Sequence, residues 1–160
     1  MLNKKLNFNI YFPMCSIFYL FLCFYVKNLV LHYEKSNITL SCGVFDIVHL
    51  KNTGAAFSIF KGGNYFLAIF AILTLFLILF YIVKNFKSLK YIEVQAYSFL
   101  IAGISSNVLE RLSDGYVTDY IKLNFIDFPV FNLADVFINV GAFLLLITLL
   151  FLEKEGKKNE

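Results

Sequence analysis

Charge is scarce in this chain. Asp, Glu, Lys and Arg make up 16% of its 160 residues, against roughly 25% in soluble domains, which excludes an ordinary soluble globule and a charged disordered tail. Cysteine is equally scarce, and its placement excludes a disulfide framework. Cys15 and Cys23 lie in one apolar run, where a rise of 1.5 Å per residue sets them about 12 Å apart, beyond bridging reach, and Cys42 is left alone. The two histidines, His32 and His49, form no H-E-x-x-H or comparable ligand spacing, so they read as surface or interfacial residues and no metal site is expected. Lys and Arg build no dense run, and a net charge of +3 spread in this way does not point to nucleic acid. A Gly-rich phosphate loop, a dinucleotide fingerprint, an internal repeat and a low-complexity segment are all missing.

What is abundant is apolar surface: 59% hydrophobic residues, 20 Phe and a mean hydropathy of +0.72. Four crossings of about 20 residues each would use half the chain and leave no room for a separate soluble domain. The expectation is a single integral membrane domain over 1–160, an all-α four-transmembrane-helix bundle with a small β-sheet on the outer membrane surface. The first span runs from about Ile10 to Leu31, behind Lys4 and Lys5. It is longer than a secretory h-region and lacks a small-x-small cleavage site, since Leu22, Phe24 and Val26 are bulky, so it is expected to be a retained helix. The second, from about Tyr65 to Val83, contains no charge. The third, from about Tyr91 to Leu109, is interrupted by Glu93, Gln95, Ser105, Ser106 and Asn107, and the fourth runs from about Leu133 to Leu152.

The distribution of Lys and Arg sets the topology. The N-terminal tail (Lys4, Lys5), the second connector (Lys84, Lys87, Lys90) and the C-terminal tail (Lys154, Lys157, Lys158) carry eight cations, against five (Lys35, Lys51, Lys61, Arg111, Lys122) in the two longer connectors. Both termini are therefore expected in the cytoplasm and both long connectors on the outer face. Neither connector reads as plain loop. Phe45 to Asn52 is rich in β-branched and aromatic residues and bounded by Gly43 and Thr53-Gly54, which predicts a short strand. Tyr116 to Phe125 alternates, with Val117, Asp119, Ile121, Leu123 and Phe125 on one face and Tyr116, Thr118, Tyr120, Lys122 and Asn124 on the other.

An ionisable group at membrane depth costs roughly 2.5–3.5 kcal/mol on insertion scales, so each needs a reason. Asp119 lies on the apolar face of its strand, after the Gly115 turn, and Asp135 enters the fourth span just after Asn132. Capping accounts for part of this: Asn132 is a good N-cap, and Asp135 in the first turn complements the helix dipole. Capping does not require a second carboxylate, however. Two close carboxylates cannot both ionise cheaply, so one keeps a proton, which supplies the general base and general acid of amide hydrolysis. No serine or cysteine has a partnering His or a well-placed Lys to make it the nucleophile instead. Asn107 and Arg111 share a helix face at the outer end of the third span, where Arg111 either holds one carboxylate ionised or binds lipid phosphate. The run of small residues Asn52-Thr53-Gly54-Ala55-Ala56-Phe57-Ser58 suits close approach of a substrate backbone, or is simply a tight turn.

Together, KNTGAAFS (Lys51 to Ser58), SNVLERLSDGYVTDYI (Ser106 to Ile121) and FNLADVFINVG (Phe131 to Gly141) resemble, in order and separation, the motifs of lipoprotein signal peptidases, the signal peptidase II family of bacterial inner-membrane aspartyl proteases. The resemblance implies that Asp119 and Asp135 are the catalytic pair. It also implies that Asn52, Gly54, Asn107, Arg111 and Asn132 line the substrate site or orient the aspartates, with Lys27 as a further supporting position. The implied substrate is a prolipoprotein whose cysteine carries diacylglycerol, cut just before that cysteine within the membrane lipids. No metal or organic cofactor is implied, a monomer is expected, and the family's sensitivity to globomycin should extend to this chain.

Departures from the family pattern fall around the site. Cys23 and Val26 replace the acid and the hydroxyl residue that usually precede Lys27, leaving that lysine without its usual acid; Ser106 and Glu110 replace a glycine and an aspartate. These changes bear on site shape and rate, with a catalytically impaired homologue as one alternative reading. The other, from the residues alone, is a small transporter or channel subunit in which Asp119, Asp135 and Arg111 relay protons or ions.

Overall fold

In the computed structural model, which describes residues 2–35, 40–54 and 63–156 and the side chains of 8 and 10–150 within them, the four apolar runs become helices. These are α1 (Leu2–Lys35), α2 (Asn64–Asn85), α3 (Tyr91–Ser113) and α4 (Leu133–Gly156), and the long connectors hold strands β1 (Leu40–Ser41), β2 (Phe45–Asn52) and β3 (Val117–Leu123). Each helix extends past the expected span. Lys4 and Lys5 belong to the first turns of α1 rather than to a tail, Lys84 closes α2, and α4 continues through Lys154, because a helix that satisfies its own backbone gains by running on into the polar zone.

Three segments, Ile10–Lys35, Asn64–Asn85 and Leu133–Leu150, are long and apolar enough to cross a membrane. The fourth helix, α3, falls below that hydropathy because it is the inner one. It packs against α1, α2 and α4, and its polar residues Ser98, Ser106 and Glu110 are buried among them. By contrast α2 turns Phe66, Ile69, Phe70, Phe76 and Phe80 outward, the inverted pattern of a helix solvated by lipid. The packed centre is Leu100, Ile104 and Val108 of α3 against Ala71, Leu75 and Ile78 of α2 and Ile138 and Leu145 of α4.

Two glycines set the spacing of α3 and α4. A Cβ on Gly103 would stand 2.5 Å from the Ala134 carbonyl oxygen, and one on Gly141 2.7 Å from that of Ala96, so the two backbones meet at a distance that larger residues forbid. Tyr19 donates to Gln95 Oε1 at 3.0 Å, and Gln95 also bonds Tyr11, which ties α1 to α3 where hydrocarbon offers no other partner.

The strands form one antiparallel sheet in the order β1-β2-β3. Leu50, Lys51 and Asn52 pair with Asp119, Thr118 and Val117, after a register irregularity between Ile47 and Leu50. The alternation expected from Tyr116 to Phe125 does not appear in the burial of β3, whose start has no solvated face. Val117, Thr118, Asp119 and Tyr120 are all buried, since one side faces the end of α3 and the other the residues leading into α4. There the Phe131 carbonyl accepts from the Tyr120 and Ile121 N–H groups, and the Phe131 N–H donates to the Ile121 carbonyl. His49 pairs with Glu34 at 2.5 Å, fastening β2 to the end of α1.

Candidate active site

Asp119 is carried by β3 and Asp135 by the first turn of α4, and the residue that joins them is Asn132. Its Nδ2 donates to Asp119 Oδ1 at 2.8 Å. It also caps α4 reciprocally: Asn132 Oδ1 accepts from the Asp135 main-chain N–H at 2.9 Å while Asp135 Oδ2 accepts from the Asn132 N–H at 3.1 Å, a capping box built with aspartate. The capping reading and the paired-carboxylate geometry are thus both present in one residue. Tyr120 Oη accepts the next free N–H of that helix end, from Leu133, at 3.1 Å.

Each carboxylate has a second amide donor. Asn52 Nδ2, opposite the dyad strand on β2, donates to Asp119 Oδ2 at 2.8 Å, and Asn107 Nδ2 on α3 donates to Asp135 Oδ1 at 2.8 Å. Asn107 Oδ1 in turn accepts from Asn132 Nδ2 at 3.2 Å, so the two acids are joined by a chain of amides rather than by a direct hydrogen bond. Asp119 is 2% exposed. Burial pushes its carboxyl up to about 7, the neighbouring Asp135 charge adds to this, and the Asn52 and Asn132 amides and the Arg111 charge oppose it.

Arg111 acts on the aspartates through its charge, which favours ionised Asp119, and not through a direct ion pair. Among the described ion pairs none joins it to a carboxylate; its Nη2 donates instead to the Gly54 carbonyl at 2.8 Å, because the end of α3 points across the site at the residues that follow β2. Its Nη1 is buried with no partner among the described residues. Gly54 is buried, and its own N–H donates to Asn52 Oδ1 at 2.9 Å. Of the small-residue run, positions 55–58 lie outside the described residues.

A cavity of about 1210 Å³ opens over this constellation, lined by Asn52, Gly54, Asn107, Arg111, Asp119 and Asp135 together with the apolar Leu123, Phe125, Phe128, Val136 and Val140, with Lys122, Asp127 and Asn139 also on its wall. A lining that combines two acids and polar groups with several large apolar side chains suits a substrate that is part peptide and part hydrocarbon. Asn132 stands behind the carboxylates, fully buried, rather than on the cavity wall.

Lys27 is also off the wall. It has found acids from another helix: Nζ lies 3.0 Å from Glu110 Oε2 and 3.0 Å from Asp114 Oδ2, both at the end of α3. Asp114 is held below the usual carboxylate range by that lysine. Sequence reasoning treated Glu110 only as a departure and passed over Asp114. The available signal was an unpartnered membrane lysine together with two acids four residues apart at a helix end.

A family model of signal peptidase (SPase) II, peptidase family A8, matches residues 15–151. A lipoprotein signal peptidase of Streptococcus thermophilus is 40% identical over 133 residues, which cover 79% of this chain and 86% of that one. A lipoprotein signal peptidase of Fusobacterium nucleatum is 33% identical over 152 residues, 89% of this chain and 92% of that one. Among solved structures, a bacterial membrane enzyme determined by the in meso method superposes with a TM-score of 0.77 at 27% identity, over 87% of this chain and 92% of that one. Four helices, a surface sheet and paired aspartates at their junction therefore coincide with a match over nearly the whole chain, and the chain belongs to the signal peptidase II family.

Proposed function

We propose that Asp119 and Asp135 are the catalytic pair of this membrane protease, which removes the signal peptide from prolipoproteins, and that it cuts just before a cysteine carrying diacylglycerol. The observation that carries the reading is the pair of carboxylates held by Asn52, Asn107 and Asn132 on the floor of a half-polar, half-apolar cavity. With its carboxyl raised to about 7, Asp119 is suited to hold the proton at neutral pH. Asp135 then acts as the base: it takes a proton from water as the oxygen attacks the scissile carbonyl, while Asp119 donates to the carbonyl oxygen. The resulting tetrahedral diol collapses by breaking the C–N bond. The leaving amine collects the proton held by Asp135, and Asp119 recovers its own from the diol hydroxyl as the carboxylic acid product forms. Arg111, on the cavity wall, holds the Gly54 carbonyl at 2.8 Å and so fixes the main chain that borders the scissile bond.

The diacyl chains are assigned to the apolar lining residues Phe125, Phe128, Val136 and Val140, so the substrate reaches the aspartates without leaving the bilayer. By the lysine distribution, both termini are cytoplasmic and the site lies on the outer face of the inner membrane. Purified protein in detergent is expected to shorten a diacylglyceryl-modified prolipoprotein, to stop doing so with globomycin, and to lose cleavage in D119N and in D135N with folding intact. Retained processing in either variant removes the catalytic assignment. Labelling of a C-terminal tag from outside intact cells overturns the topology.

A further inference from the structure

Glu110 is 5% exposed, lies off the cavity wall and touches neither aspartate, yet it makes two charge-assisted contacts. Its Oε2 accepts the Thr118 main-chain N–H at 2.9 Å and stands 3.0 Å from Lys27 Nζ. Thr118 immediately precedes Asp119 on β3. The amides of Asn52 and Asn132 hold the Asp119 carboxylate, but they do not hold the main chain that carries it. One edge of β3 is held by its pairing with β2; at Thr118 the N–H is held by Glu110. A carboxylate buried this deeply requires a counter-charge, and Lys27 reaches in from α1 to provide it. Cys23, four residues before Lys27 on the same helix face, carries no charge to compete. Asp114, at the C-cap of α3, takes the other side of the ammonium at 3.0 Å.

We infer that Glu110, together with its counter-ion Lys27, is a positioning residue for the reaction: it fixes Asp119 against Asp135 by holding the main chain of Thr118, with Asp114 anchoring the lysine. The inference rests on Asp119 being a reacting acid. Misplacement of a reacting group by about 1 Å costs about 10²-fold in rate, and Glu110 joins the strand of one aspartate to α3, which packs directly on the helix of the other.

The test measures kcat and KM per folded enzyme on a diacylglyceryl prolipoprotein, alongside hydrogen exchange at the Thr118 amide, which needs no catalysis. E110A is expected to lower kcat about 10²-fold with KM within about threefold, and to speed exchange at Thr118. E110Q, which keeps an acceptor oxygen but not the charge, should fall less. K27M should match E110A, and the E110A/K27M pair should be no worse than the poorer single variant, since the two act as a unit. Should E110A fail to fold, E110Q and K27M decide the matter. Wild-type kcat in the folded variants, a rise in KM alone, or unchanged Thr118 exchange overturns the inference. Absence of cleavage by the folded wild type overturns the peptidase reading, and the positioning role with it, while the exchange data still report whether the tether exists.

Discussion

Asn132 Nδ2 lies 2.8 Å from Asp119 Oδ1 on a residue that also caps the helix of Asp135. Helix capping and the placement of both carboxylates therefore run through one side chain, the cap through its Oδ1 and the Asp119 contact through its Nδ2. N132A should lose about 1 kcal/mol of capping and about 10²-fold in kcat through misplaced carboxylates. N132D restores the cap but adds a third acid, so its melting temperature should recover more than its activity. Thermal melts in detergent alongside cleavage rates check this; equal recovery of both would show that activity follows the cap alone and does not need the Asn132–Asp119 bond.

The elevated Asp119 carboxyl makes stability pH-dependent in a definite direction. Its value is raised from 3.8 to about 7 by burial first and the Asp135 charge next, so between those values the folded chain holds a proton that the unfolded chain has lost. Stability from this group is greatest below about pH 4 and declines as pH rises to about 7, by an amount on the order of a few kcal/mol. D119N should flatten that slope and melt higher than wild type at neutral pH. A D119N slope equal to that of wild type assigns the effect to another group. In the same range the cleavage rate should fall as pH climbs through about 7, where the acid form is lost.

Arg111 separates substrate positioning from lipid binding. Its Nη2 holds the Gly54 carbonyl at 2.8 Å and its Nη1 is buried without a partner among the described residues. R111K keeps the charge but cannot span both directions, so kcat/KM should drop at least about 10-fold. Near-wild-type activity of R111K in steady-state cleavage would restore the lipid-phosphate reading.

Close packing of α3 on α4 depends on Gly103. A methyl group there meets the Ala134 carbonyl at 2.5 Å, one residue from Asp135. G103A is expected to destabilise by about 1–3 kcal/mol, with G103L worse, and to cost activity beyond its loss of folded protein, because the helix end carrying Asp135 must shift. Melting curves and rates per folded enzyme distinguish the two effects.

Much of this molecule was legible without coordinates. The strand at Phe45–Asn52 came out at the expected residues, because β-branched composition and flanking turn residues are local signals. Asp119 and Asp135 stood out because a carboxylate in apolar surroundings is costly wherever the chain puts it. Asn132 as cap was similarly readable. What could not be read was direction: Arg111 turns to Gly54 rather than to an aspartate, and nothing at positions 107–111 specifies which neighbour lies across the gap.

Sequence by itself determined the class of solvent, the four helices and where two carboxylates meet apolar surroundings, since hydropathy, turn chemistry and the cost of a membrane charge act over a few residues. Tertiary structure alone decided who holds whom. Lys27 lost an acid from its own helix and gained Glu110 and Asp114 from α3, 83 and 87 residues away in sequence. The amides that bracket the aspartates come from β2, α3 and the start of α4. Such pairings depend on the spacing of helices set by Gly103 and Gly141 and on the sheet register, and no local pattern along the chain encodes either one.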